Sequence, residues 1–196
     1  LQSGTEGAIT EDMKALIVLC VLCAAFVASA EVRPPAVAGA FYTNEPEGLK
    51  SQVEEMLAAA DAGEKHPAAR ALVVPHAGFV FSGPTAAKAY ARLPVEGVHR
   101  IVLLGPSHHF GFRGGAVPAT GRTGFATPLG TMALDLDAIG KLRGLDLFDG
   151  PAEAHAAEHS LEVQLPFLQI AAPQAKLVPI LVGSNTDAAS CVEMAR

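Results

Sequence analysis

The sequence predicts an α/β fold built on a mostly parallel sheet, and three observations carry that prediction. Residues 71–74 and 100–104 are short β-branched or leucine-rich runs that stop at proline or glycine-proline and then present histidine, in Ala71-Leu72-Val73-Val74-Pro75-His76-Ala77-Gly78 and Ile101-Val102-Leu103-Leu104-Gly105-Pro106-Ser107-His108-His109. A buried parallel strand that delivers a side chain to its carboxyl end reads this way. A helical stretch lies between the two runs, so strand, helix and strand fall within about 35 residues, the size of a right-handed βαβ unit. A third apolar run follows at residues 176–182.

The chain has 196 residues, enough for one domain with a real core. Half of its residues are hydrophobic, 17% are charged, and the net charge is −6. No basic stripe of the kind that holds nucleic acid is present, so no nucleic-acid partner is expected. Residues 1–12 are polar and read as upstream read-through or a tag. Met13-Lys14 opens an export signal over residues 13–30, with an apolar run over residues 15–28 and Ala28-Ser29-Ala30 as the small-x-small site, so cleavage is expected between Ala30 and Glu31. The apolar run is too short for a comfortable membrane span. The mature protein is therefore expected to be periplasmic or secreted, with no stable membrane anchor. Cys20 and Cys23 have the spacing of a metal or redox pair, but both lie inside this run. Cys191 reads as a helix residue without a catalytic role.

Residues 31–196 form the expected domain. Residues 32–42 hold too much proline and glycine for a helix and read as an extended lead-in. The first helix is capped by Thr43 or Asn44, has Pro46 in its first turn, and carries Leu49, Val53, Met56, Leu57 and Ala60 on one face. Residues 61–67, with His66, read as a solvated loop. After the strand at 71–74, a turn over residues 79–83 leads into a helix over about residues 84–93, with Ser82 as its cap. Residues 110–131, rich in glycine, proline and threonine, read as a long excursion with short strands near 115–118 and 130–134. A short helix is expected over 137–143, a brief strand at 145–148, and a helix from Ala156 or Glu158 to about Ile170, bent or divided at Pro166. The strand at 176–182 and a last helix capped within Gly183-Ser184-Asn185-Thr186 complete the order. A doubly wound domain rarely stops three strands into its sheet, so the chain reads as truncated at its carboxyl end, with an unpaired strand edge that favours aggregation.

The candidate chemistry lies in histidine. His76 and His108 follow strand ends, where α/β sheets hold their ligands, and neutral imidazole is the commonest metal ligand. Two readings stand: a shared metal ion, or histidines that hydrogen-bond loop backbone. His109 points away from His108 in an extended backbone and reads as a neighbouring residue. In Glu158-His159-Ser160-Leu161-Glu162, a helix would place His159 and Glu162 on one face. His155 reads as exposed and His99 as structural. No phosphate-binding glycine loop, Gly-x-Ser-x-Gly or His-Glu-x-x-His is present. Ser107 beside His108 is no nucleophile–base pair, because adjacent strand residues face opposite ways.

These segments have a family resemblance. Arg33-Pro34-Pro35-Ala36-Val37-Ala38-Gly39-Ala40-Phe41-Tyr42, Pro75-His76-Ala77-Gly78, Leu104-Gly105-Pro106-Ser107-His108-His109, Glu158-His159-Ser160-Leu161-Glu162-Val163-Gln164-Leu165-Pro166-Phe167-Leu168 and Val178-Pro179-Ile180-Leu181-Val182-Gly183 stand in the order of the Memo family, called AmmeMemoRadiSam system protein B in prokaryotes, which the chain resembles over residues 32–183. The resemblance implies a three-layer sandwich like that of the class III extradiol dioxygenases, which hold Fe(II) with two histidines and a carboxylate. It implies His76 and His108 as metal ligands, and Glu158 and His159 only as residues of a motif near the pocket; Ser107 and His109 are placed beside them by position alone. The family's Ser-Ser-Asp-x-x-His segment and its late cysteine ligand have no counterpart here, and Cys191 lies too early to be that cysteine. The expectation is an iron- or copper-dependent oxidoreductase of unknown substrate. The alternative is a non-catalytic adaptor that uses the same pocket for a metal or a peptide. A small molecule or peptide is the expected ligand.

Overall fold

The computed structural model describes residues 31–60, 68–93 and 97–196. The export signal expected at 13–30 and the loop with His66 lie outside them. Strands and helices alternate, and the chain is α/β. The strands are β1 (Glu31–Arg33), β2 (Arg100–Pro106), β3 (Gly115–Ala116), β4 (Arg122–Thr127), β5 (Gly130–Ala133) and β6 (Lys176–Val182). The helices are α1 (Pro46–Ala60), α2 (Phe79–Tyr90), α3 (Leu136–Leu142), α4 (Leu165–Ala171) and α5 (Ala188–Met194), with 3-10 turns at Ala152–His155 and Glu162–Gln164. No helix among the described residues is long and apolar enough to cross a membrane.

The sheets are mixed, with parallel and antiparallel pairs in each. One has the order β2-β6-β3 and the other β1-β4-β5. The parallel pair β2–β6 runs in unbroken register from Arg100 opposite Lys176 to Pro106 opposite Val182. β3 is antiparallel to β6 and β5 to β4. The excursion after β2 explains the antiparallel members. Thr127 pairs with Gly130 across a loop of Pro128 and Leu129, and Gly130 has φ +118°, a conformation that glycine adopts at no steric cost. β4 itself was not anticipated. Arg122-Thr123-Gly124-Phe125-Ala126-Thr127 holds one large apolar residue, too few for an alternating pattern.

The strand expected at residues 71–74 pairs with nothing among the described residues. The segment is extended, with Leu72 and Val74 packed on the core and Val73 fully exposed. Its alternation is that of a strand, but no ladder forms, so the expected βαβ unit lacks its first strand. Side chains hold it instead. Gln164 Nε2 donates to the Pro75 carbonyl at 3.0 Å, and Tyr90 Oη donates to Gln164 Oε1 at 2.8 Å.

Several boundaries move for local reasons. α2 begins at Phe79, so the expected turn over 79–83 is helical and Pro84 lies inside the helix. The hydrogen bond that Pro84 cannot make would end on Val80, which is 86% exposed, so water can take its place. Ser82 is no cap. Its Oγ donates back to the Ala77 carbonyl at 2.7 Å. Residues 145–148 form turns rather than a strand, with Leu147 at φ +69°. Asp187, not the segment 183–186, caps α5 by accepting from the Ser190 backbone N–H at 2.7 Å. Likewise, Asp135 caps α3 through the Ala138 N–H at 3.0 Å.

The core joins Leu49 and Val53 of α1, Tyr90 of α2, Phe125 of β4, Phe167 of α4 and Leu177 of β6. Each of these side chains is at most 4% exposed. Tyr90 stacks on Phe167 at 5.1 Å between ring centroids. Of the sheet residues facing the other way, Val102 is 53% and Leu104 59% exposed.

His155 is buried, not exposed as its polar neighbours imply. It is 5% exposed, and its Nε2 lies 3.0 Å from the Ala116 carbonyl, so Nε2 carries the proton and donates. Nδ1 has no partner among the described residues. Burial pushes the imidazole down to about 4, helped by the nearby Arg33 charge and opposed by the bond to Ala116. Its folded value thus lies below the ordinary 6.5. As pH falls through 6.5 the unfolded chain takes up a proton that the folded chain refuses, so stability is lost between 6.5 and about 4 and no further below. The expected loss is about 3 kcal/mol. Urea denaturation across that window is expected to show a shallower pH dependence in His155→Gln than in the parent.

Candidate functional site

The site is assembled at the carboxyl end of β2. Directly after the strand, Ser107 and Phe110 close a tight turn: Ser107 Oγ donates to the Phe110 carbonyl at 2.9 Å. Ser107 is buried in this turn, which projects His108. The segment 158–161 lies against the end of the strand. A Cβ on Gly105 would come within 2.7 Å of both Ser160 Oγ and Leu161 Cδ2, so only glycine allows this approach. Ser160 Oγ donates to the Pro106 carbonyl at 2.9 Å.

Residues 158–161 are not helical, so His159 and Glu162 do not share a helix face as expected. The cause is Glu158. Its Oε1 accepts from the backbone N–H groups of His159 and Ser160, both at 2.9 Å, which offers the backbone an alternative to helix. The helix proper starts only at α4, with Pro166 in its first turn.

Glu158 and Glu162 have different tasks. Glu162, fully buried, ties the lead-in to this segment. Its Oε2 accepts from Arg33 Nη1 at 2.6 Å and from the Ala36 N–H at 2.7 Å, and its Oε1 accepts from Tyr42 Oη at 2.6 Å and from the Val37 N–H at 2.9 Å. Arg33, 2% exposed, also donates to the carbonyls of His155 at 2.5 Å and Glu158 at 2.7 Å. Its guanidinium lies 5.2 Å from the centre of the Phe125 ring. Glu158 holds His108: its Oε2 accepts from the His108 N–H at 2.7 Å, and its Oε1 lies 2.8 Å from His108 Nδ1. Burial alone would raise the Glu158 carboxyl, but the N–H groups of His108 and Ser160 and the His108 ring outweigh it and bring it down to about 2. An ionised carboxylate only accepts, so His108 carries its proton on Nδ1 and leaves the Nε2 lone pair free.

Three imidazoles converge here. One donor atom from each of His76, His108 and His159 lies within 4.8 Å of the others. The His108 and His159 rings stack at 4.5 Å, and the His76 ring centre lies 5.3 Å from that of His108 and 5.9 Å from that of His159. Burial lowers the proton affinity of His76, with the neighbouring His108 adding to the effect. Burial also lowers that of His159, against the pull of Glu158. Both effects favour the neutral imidazole, whose lone pair can hold a metal ion. Neutral imidazole is the commonest metal ligand, and three such donors this close together could hold one ion. The residues present fit a metal ion.

Of the residues singled out by sequence, His76, His108 and His159 come together, Glu158 stands directly behind them, and Ser107 shapes the turn. His109 is exposed and outside the trio. Sequence reasoning missed Arg33 and Tyr42, and placed Glu162 wrongly. The available signal was charge in apolar surroundings: Arg33 precedes Pro34-Pro35-Ala36-Val37, and Glu162 stands between Leu161 and Val163.

A family model described as Memo-like protein matches residues 33–195. The MEMO1 family protein of Ignicoccus hospitalis is 39% identical over 166 residues, covering 79% of this chain and 58% of that protein. That of Sulfurisphaera tokodaii is 38% identical over 167 residues, with the same coverage, 79% and 58%. That of Aquifex aeolicus is 39% identical over 154 residues, covering 77% of this chain and 55% of that protein. The chain therefore spans somewhat more than half the length of these relatives.

Proposed function

Since the chain belongs to the Memo-like protein family, we propose that it is a metal-dependent oxidoreductase of that family whose ion, iron or copper, is held by His76, His108 and His159. The observation that carries this reading is the convergence of three imidazole donors within 4.8 Å. An all-imidazole set suits copper and iron, as it also suits zinc and nickel. When bound, such an ion supplies one-electron exchange and open positions for a substrate. The protein's own part is to hold the donors. Glu158 fixes the tautomer and aim of His108, and Phe41 packs on His159 at 4.8 Å between ring centroids. The reading carries with it a three-layer, dioxygenase-like arrangement, supported by a parallel strand pair that delivers His108 at its carboxyl end.

Metal content of protein purified without oxygen tests the proposal. About one equivalent of iron or copper is expected, falling below a tenth of that in His76→Ala and in His159→Ala. Equal metal in parent and variants overturns the site. Metal retained without O2 consumption over a substrate screen favours the non-catalytic reading, in which the pocket binds metal and a small molecule or peptide.

A further inference from the structure

The histidines open onto a groove, and its walls describe what it accepts. The groove has a volume of about 820 Å³ and runs outward from His76 and His159 past Phe41, Val73, Pro75 and Phe81. That is within the range of small-molecule sites, about 300–1,000 Å³. Among the described residues, none lining it is Asp, Glu, Lys or Arg. Phe41 continues the wall directly from the His159 ring. At the outer end Val73 is 100% and Phe81 84% exposed. Two large apolar side chains thus stand in water beside the imidazoles, on elements held by the core through Phe79 and Val74.

We infer that this groove binds the uncharged, aromatic or similarly apolar body of a small molecule whose single donor atom meets the ion, so that the substrate class is neutral and apolar rather than phosphorylated or carboxylated. The inference rests on the metal reading above. Its physical basis is twofold. An apolar ring laid against Phe41, Val73 and Phe81 is removed from water together with those side chains, which favours binding. Beyond the ion at its inner end, an anionic body would lose hydration along walls that offer it no charged donor.

The protein loaded with Co(II), a spectroscopic stand-in, provides the test. Imidazole, 4-phenylimidazole and imidazole-4-acetate are titrated, and the visible Co(II) bands report each binding. The phenyl compound is expected to bind about tenfold tighter than imidazole, the gain from burying roughly half of a phenyl ring. Imidazole-4-acetate is expected to bind no tighter than imidazole. Phe81→Glu, a substitution at an exposed position, is expected to abolish the phenyl gain. Imidazole binding without any phenyl gain overturns the inference and leaves the metal site standing. A phenyl gain that persists in both Phe81→Glu and Val73→Asp also overturns it, because the ring then lies elsewhere. Failure of Co(II) to bind, or equal uptake by His76→Ala, overturns the metal reading and this inference with it.

Discussion

Glu162→Ala is expected to cost about 3–5 kcal/mol, the usual penalty for removing one partner of a buried ion pair. For a domain of this size that is enough to leave much of the population unfolded, since total stability is typically about 5–15 kcal/mol. The size of the effect follows from what the carboxylate holds. Arg33 would remain in a site where it is 2% exposed, without its counter-charge. The N–H groups of Ala36 and Val37 and the Tyr42 hydroxyl would lose their acceptor together. Each such unsatisfied group costs about 1–3 kcal/mol if water cannot reach it. Glu162→Gln keeps one carbonyl oxygen and is expected to fall between parent and alanine. Urea denaturation followed by circular dichroism gives the ranking. Alanine and parent of equal stability would show that the lead-in is not anchored through this carboxylate.

Glu158→Gln is expected to weaken metal binding about 10–100-fold, the usual consequence of losing an outer partner of a ligating histidine. The carboxylate accepts from the backbone and ring of His108 and from two further N–H groups. An amide presents one oxygen where four donors converge, and its NH2 group can face His108 Nδ1. Nδ1 is then driven to accept, the proton moves to Nε2, and the lone pair that should face the ion is lost. A competition assay against a chelator of known affinity measures the change. A merely structural role would lower the unfolding midpoint while leaving the affinity of the folded fraction intact. The expectation here is the reverse emphasis, with affinity falling in protein that remains folded.

The sequence by itself determined the α/β class, the strand at Lys176–Val182 and the helix over Pro46–Ala60, and it singled out His76 and His108 as candidate ligands. These were legible because their signals are local. A β-branched run has its own period, a helix has its capping residue and apolar face, and histidine after Gly-Pro or Pro stands out from an apolar background. The expected roles of the glutamates were not legible. Glu158 and Glu162 lie four residues apart in one motif, yet one turns toward His108 and the other toward Arg33, 129 residues away in sequence. That choice depends on which donors the fold places beside each carboxylate.

The segment 71–76 shows the same limit from the other side. Its composition is that of a strand, but pairing requires a free edge within hydrogen-bonding distance, and composition carries no information about neighbours. His155 was misjudged because its polar sequence neighbours say nothing of Phe125, whose ring lies 5.8 Å away, or of the Ala116 carbonyl that accepts its hydrogen bond. The placement of His159 was decided only in three dimensions. Glu158 interrupts the helix that periodicity predicts, and Gly105 lets the resulting loop close on the end of β2. Short-range preference chose the residue types, and long-range hydrogen bonds to buried charge decided where they point.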